Sequence, residues 1–167
     1  MKNFPFYLLV LVMLTSLAIS CSDDDESGPS YNFEDQNLQG KIDGEDFILG
    51  DGRGEISFFE DDQLSIDLYH SDEPEDACDV LNSDFVYAFF TIPDEVGIYE
   101  LFLDLENFEG QTVTLFNPDG TLNNIATEGA VELTSITDTE VSGRIDARMD
   151  DDNFINGNFT VEFCPEN

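Results

Sequence analysis

At 167 residues the chain has room for one domain, and 38 acidic against 5 basic residues give it a formal charge of −33. That balance speaks against nucleic acid as a partner, because phosphate binding needs a basic face that so few cations cannot build, and an anionic membrane surface would repel the chain too. Fifteen Phe and no Trp, with Val, Ile, Thr and Tyr in short runs, favour strands over helices.

Residues 1–20 have the parts of an export signal: Lys2 in front, an apolar run from Phe4 to Leu14, and small residues before Cys21. The run is too short for a membrane span, which needs roughly 20 residues. Leu17-Ala18-Ile19-Ser20-Cys21 resembles the lipobox of bacterial lipoproteins, with Ala18 in place of the usual Leu. Ser22-Asp23-Asp24-Asp25-Glu26 is similar to the acidic export signal of Bacteroidota-type bacteria. This resemblance implies cleavage before Cys21, lipidation of Cys21, and an outer-membrane lipoprotein facing the cell surface that meets the membrane only through its lipid anchor. Ser22 to Ser30 holds no apolar residue, so residues 21–37 read as a disordered acidic tether, reaching on the order of 55 Å if extended.

From residue 38 to 167 short alternating runs separated by Gly, Asp, Asn and Pro predict an all-β domain, an antiparallel β-sandwich or flattened barrel of about 8–10 strands. Gln63 to Tyr69 alternates, with Leu64, Ile66 and Leu68 facing a core and Ser65, Asp67 and Tyr69 facing water. Phe85 to Ile92 reads as a strand covered on both sides, Ile98 to Leu105 and Gln111 to Asn117 as another pair. Ala130 to Thr137, Glu140 to Met149 and Phe154 to Phe163 read as a meander with apolar faces Val141–Gly143–Ile145–Ala147–Met149 and Ile155–Gly157–Phe159–Val161–Phe163. The stretch also resembles small acidic lipoproteins of the same bacteria through Gly40, Ile42, Gly44 and Phe47, then Pro93, Gly97 and Tyr99, then Val141, Gly143 and Ile145, and finally Asn156, Gly157, Phe159 and Cys164. That resemblance implies a fold and names no catalytic residue.

Cys78 and Cys164 form an even pair in an exported chain and are expected as a disulfide, which would stabilise by about 4 kcal/mol in the chain-entropy model. His70, the sole histidine, is expected in an exposed loop without a catalytic or metal role. No cofactor is expected unless calcium, whose oxygen ligands could come from Asp72, Glu73, Glu75, Asp76 and Asp79, or from the turn Asp150, Asp151, Asp152 and Asn153. Neither cluster has EF-hand spacing. Acids are abundant enough that carboxylate pairs of a glycosidase kind arise by chance, and most Phe are expected to fill the core. Of the adjacent pairs Phe58-Phe59 and Phe89-Phe90, one member each faces away from the other. The expected function is a non-catalytic binding or structural β-domain whose protein or glycan partner the sequence does not name. The alternatives are a calcium-dependent adhesion module and a carboxylate-dependent extracellular hydrolase.

Overall fold

The computed structural model describes residues 30–58, 62–70, 77–79, 85–120 and 122–164. Among these, twelve strands form: β1 (Gln39–Ile42), β2 (Glu45–Ile56), β3 (Gln63–His70), β4 (Tyr87–Pro93), β5 (Gly97–Glu100), β6 (Phe102–Asp104), β7 (Glu109–Gln111), β8 (Val113–Phe116), β9 (Asn124–Ala126), β10 (Glu128–Ile136), β11 (Glu140–Asp150) and β12 (Asn153–Phe163). The expected all-β class is what the chain adopts. Ten strands make one sheet in the order β5-β10-β11-β12-β1-β2-β3-β4-β8-β9, and β6 and β7 make a separate hairpin.

The sheet curls into a half-barrel around a single apolar core, in keeping with a flattened barrel. Its concave face collects the alternate residues of each strand, among them Leu64, Ile66 and Leu68 of β3, Ala88, Phe90 and Ile92 of β4, and Val141, Ile145, Ile155, Phe159 and Val161 of β11 and β12. Phe90 meets Phe159 edge to face at 6.3 Å across this core, and β9 lies against β11 and β12, so strands far apart in the sheet order are brought together. Asp43 and Gly44, with φ of 54° and 79°, turn β1 into β2 in the left-handed conformations of a two-residue hairpin loop, where Asp-Gly is favoured. β2 is long enough to leave β1 and run beside the end of β12, where Arg53 and Gly54 pair in parallel with Glu162 and Phe163. The expected disulfide is formed: Cys78, in a 3-10 turn at Ala77–Asp79, joins Cys164 with Cα atoms 5.6 Å apart.

Several strand expectations change. Ile98 to Leu105 is not one strand but two, broken at buried Leu101, whose N–H donates to Gly129 O at 2.9 Å. The chain there passes from β5, paired with β10, to β6, paired with β7, and Gln111 to Asn117 divides likewise between β7 and β8. The two runs are therefore not a simple pair. Tyr69 is buried rather than wet, because the outward side of β3 and β4 carries a second apolar cluster of Tyr69, Tyr87 and Ala77 with Phe85, Phe89 and Phe116 packed on it. Met149 leaves the core face of β11 at a register shift between Arg148 and Asp150 and is exposed. His70 ends β3 instead of lying in a loop; its Nδ1 accepts the Ile48 N–H at 3.1 Å and its ring lies 5.9 Å from that of Phe47.

Residues 21–29 and 59–61 lie outside the described residues, so the upstream part of the expected tether and Phe59 are not placed. Residues 30–37, expected as tether, instead lie against the sheet. Asn37 forms a parallel bridge with Asn158, and Asn158 N–H donates to Gln36 O at 2.7 Å. The physical reason is that the backbone of this stretch finds partners on β12, in the Asn156 side chain and the Asn158 backbone, while the Phe33 ring lies under Arg144.

Candidate ligand groove on the outer sheet face

Side chains directly opposite one another on adjacent antiparallel strands share a face, and the registers of β11, β12, β1 and β2 therefore build two rows on the outer side of the sheet. One runs Arg148, Phe154, Lys41, Asp46, and the other Asp146, Asn156, Gln39, Ile48. With Asn32, Glu34 and Gln36 of the N-terminal segment they line a groove of about 600 Å3. At Gly40 the strands approach so closely that a Cβ would sit 2.0 Å from Phe154 O.

One wall is the N-terminal segment itself, held as a strap. Asn156 grips the backbone on both sides of Phe33: its Nδ2 donates to Asn32 O at 2.9 Å and its Oδ1 accepts Glu34 N–H at 2.9 Å. Gln36 Nε2 donates to Asn156 O at 3.2 Å and Asn158 Nδ2 to Asp35 Oδ1 at 3.2 Å. Gly157, with φ of 138°, passes under the strap so closely that a Cβ would meet Asn37 C and O at 2.8 Å. Asp146, only 2% exposed, accepts the Asn32 N–H through Oδ2 at 2.8 Å and faces Arg148 Nε through Oδ1 at 3.2 Å. Arg148 also donates to Ser30 O. Further along, Arg144 lies over the Phe33 ring at 4.8 Å from its centroid, a cation–π contact, and pairs with Glu132. Lys41, half-buried in the groove, has no ion pair among the described residues.

Three of the chain's five basic residues, Lys41, Arg144 and Arg148, thus share this face. Chemically it offers carboxamides, carboxylates, one ammonium and the half-buried Phe154 ring side by side, a mixed donor and acceptor surface suited to holding a polar ligand. Phe154 also shows that not every Phe serves the core.

The residues singled out in the sequence lie elsewhere. Asp72, Glu73, Glu75 and Asp76 lie outside the described residues, and Asp79 is exposed beside Cys78. Asp150, Asp151 and Asp152 make the β11–β12 turn, where Asp150 Oδ1 accepts from Asp152 N–H and Asn153 Nδ2, both at 3.0 Å. Among the described residues no three His, Cys, Asp or Glu side chains form a group that could hold a metal ion. Asp104 is held below the usual carboxylate range by hydrogen bonds from the Asn107 side chain and the Asn107 and Glu106 backbone. It caps the β6–β7 turn and does not line the groove. Phe89 stacks on Tyr87 at 5.2 Å while Phe90 enters the core, so the outward member of that pair is covered by an aromatic cluster rather than a second sheet.

The groove was not anticipated from the sequence. Its signal was present in Arg144, Asp146 and Arg148, which alternate with core residues along one strand, but nothing in the sequence alone pairs them with Asn156 or with the strap. No protein-family model matches the sequence, and neither a curated protein nor a solved structure matches it significantly.

Proposed function

We propose that the chain is a surface-anchored lipoprotein whose half-barrel is a non-catalytic binding module, with the outer groove as its ligand face. The reading is carried by the lipobox-like Leu17–Cys21 and the acidic run that follows it. The groove offers a ligand face close to the anchor, since Ser30, nine residues after Cys21, already accepts from Arg148 at its edge. Those nine residues span at most about 30 Å, so the folded body stands closer to the lipid than the sequence alone implies. Two or more acyl chains on Cys21 give a stable anchor, each buried methylene contributing roughly 0.8 kcal/mol.

The test is metabolic labelling with a fatty-acid probe followed by surface proteolysis of intact cells. The native chain should take up label, fractionate with outer membrane and be digested from outside. Cys21→Ser should lose the label and leave the membrane fraction. Retention of Cys21→Ser in membranes after a carbonate wash would disprove the anchor, and protection of the native chain in intact cells would disprove the surface location.

A further inference from the structure

The β6–β7 hairpin presents an anomaly that the fold does not explain. Its tip, Leu105 to Phe108, leaves Leu105 72% and Phe108 92% exposed, and Phe108 has a φ of 56°, a left-handed conformation that bulky residues avoid and Gly or Asn adopt easily. A large aromatic therefore occupies a strained position where it contributes no packing to its own chain. Outliers of this kind concentrate at functional sites.

The tip is also rigidly mounted. Asp104 Oδ1 accepts from Glu106 N–H at 2.9 Å and Asn107 N–H at 3.2 Å, and Asp104 Oδ2 accepts from Asn107 Nδ2 at 2.7 Å. At the feet, Leu101 N–H donates to Gly129 O at 2.9 Å, and Gln111 Nε2 donates to Thr91 O at 2.8 Å. Pre-organised apolar anchors of this sort bind without a large ordering penalty.

We propose that this hairpin is a docking element that inserts Phe108 and Leu105 into an apolar pocket, rimmed by Lys and Arg, on a protein partner. Charge selects that occupant. Asp104, Glu106 and Glu109 flank the two apolar residues along the hairpin, and no cation lies between Phe102 and Gln111. A second copy of a chain at −33 would repel, as would anionic lipid head groups. A basic rim would meet the three carboxylates, and an aromatic seated at the centre of such a patch typically dominates its affinity.

The experiment places a photo-crosslinking benzoylphenylalanine at Leu105 of the full-length chain in its native cells. The expected result is one protein adduct, mapped by mass spectrometry to an apolar pocket bordered by Lys or Arg. That adduct should disappear in Phe108→Gly and fade in the double variant Glu106→Lys, Glu109→Lys. Phe108→Gly should at the same time raise the melting temperature by about 2–4 °C, since strain is relieved and nothing is unpacked. Against the purified partner, Phe108→Gly should weaken binding by about thirtyfold. Adducts to lipid or to a second copy, an adduct at an acidic or flat surface, no adduct at all, or a yield indifferent to Phe108→Gly would each overturn the proposal.

Discussion

Tyr69 stands where strand alternation places Ser65 and Asp67, facing outward, and it is fully buried nonetheless. Its ring lies 5.6 Å from Tyr87 and 6.3 Å from Phe85, and its hydroxyl donates to Asp67 Oδ2 at 3.3 Å, the oxygen that also receives Arg53 Nε at 2.8 Å. Burial first, and then the Asp67 charge, push the Tyr69 hydroxyl well above its ordinary value of 10.0, with Arg53 opposing. An acid whose folded pKa is raised leaves stability intact below its unfolded pKa and drains it as pH climbs toward the folded value, because the unfolded chain ionises first. Unfolding free energy should therefore fall above about pH 10, and in Tyr69→Phe that fall should be shallower. At pH 7 the same variant should lose about 1 kcal/mol through the missing hydrogen bond. Urea titrations of both proteins from pH 7 to pH 11 measure the two effects, and equal alkaline slopes would place the titration elsewhere. Alternation in the sequence correctly separated Leu64, Ile66 and Leu68 from their neighbours, but could not reveal Tyr69 as buried, because what covers it comes from β4, β8 and the turn that Cys78 fastens. A two-residue period reports which side of a strand a residue takes and is silent on whether that side is roofed.

Strand existence was legible wherever alternation ran for seven residues or more, as in β3, β11 and β12, since such runs have only one way to bury their apolar members. The short elements were not. Ile98 to Leu105 keeps its apolar content through Leu101, and only the pairing of Leu101 with Gly129 shows that the chain changes partner there. The strap was equally hidden. Residues 31–37 carry the composition of a tether, yet Asn156 holds Asn32 and Glu34 by imitating a neighbouring strand's N–H and C=O. Asn156→Ala removes that imitation without touching the core, as its side chain points outward between Asp146 and Gln39. Backbone amides of Asn32, Glu34 and Gln36 should exchange with deuterium markedly faster in the variant, while amides within β3 and β4 keep their protection and global stability falls by about 1–2 kcal/mol. Hydrogen exchange read by NMR distinguishes this from general destabilisation, in which protection would fall together across the sheet. A strap loosened in this way would also widen the groove, whose wall it forms.

Across the whole molecule the dominant physical quantity is charge. A formal −33 on 167 residues opposes compaction through self-repulsion, and the Debye length of about 30 Å at 0.01 M salt leaves that repulsion nearly unscreened over a domain of this size. Among the described residues the acids occupy turns and outward strand positions, and only Asp146 is buried, where it faces Arg148. Added salt should therefore stabilise the fold without any site. The melting temperature of residues 21–167 should rise by on the order of 5 °C between 0.01 and 0.5 M NaCl, and KCl should act alike. Calcium and magnesium at equal millimolar concentration should then raise it equally, because both screen alike. A calcium increment beyond the magnesium one would instead reveal a specific oxygen cage. Asp72, Glu73, Glu75, Asp76 and Asp79 are the first candidates for that cage; in the β11–β12 turn Asp150 Oδ1 already accepts from the Asp152 N–H and Asn153 Nδ2. Calorimetry of Asp76→Asn in both ions tests this: abolition of the calcium increment places the metal among those acids, and an unchanged difference excludes Asp76 as a ligand.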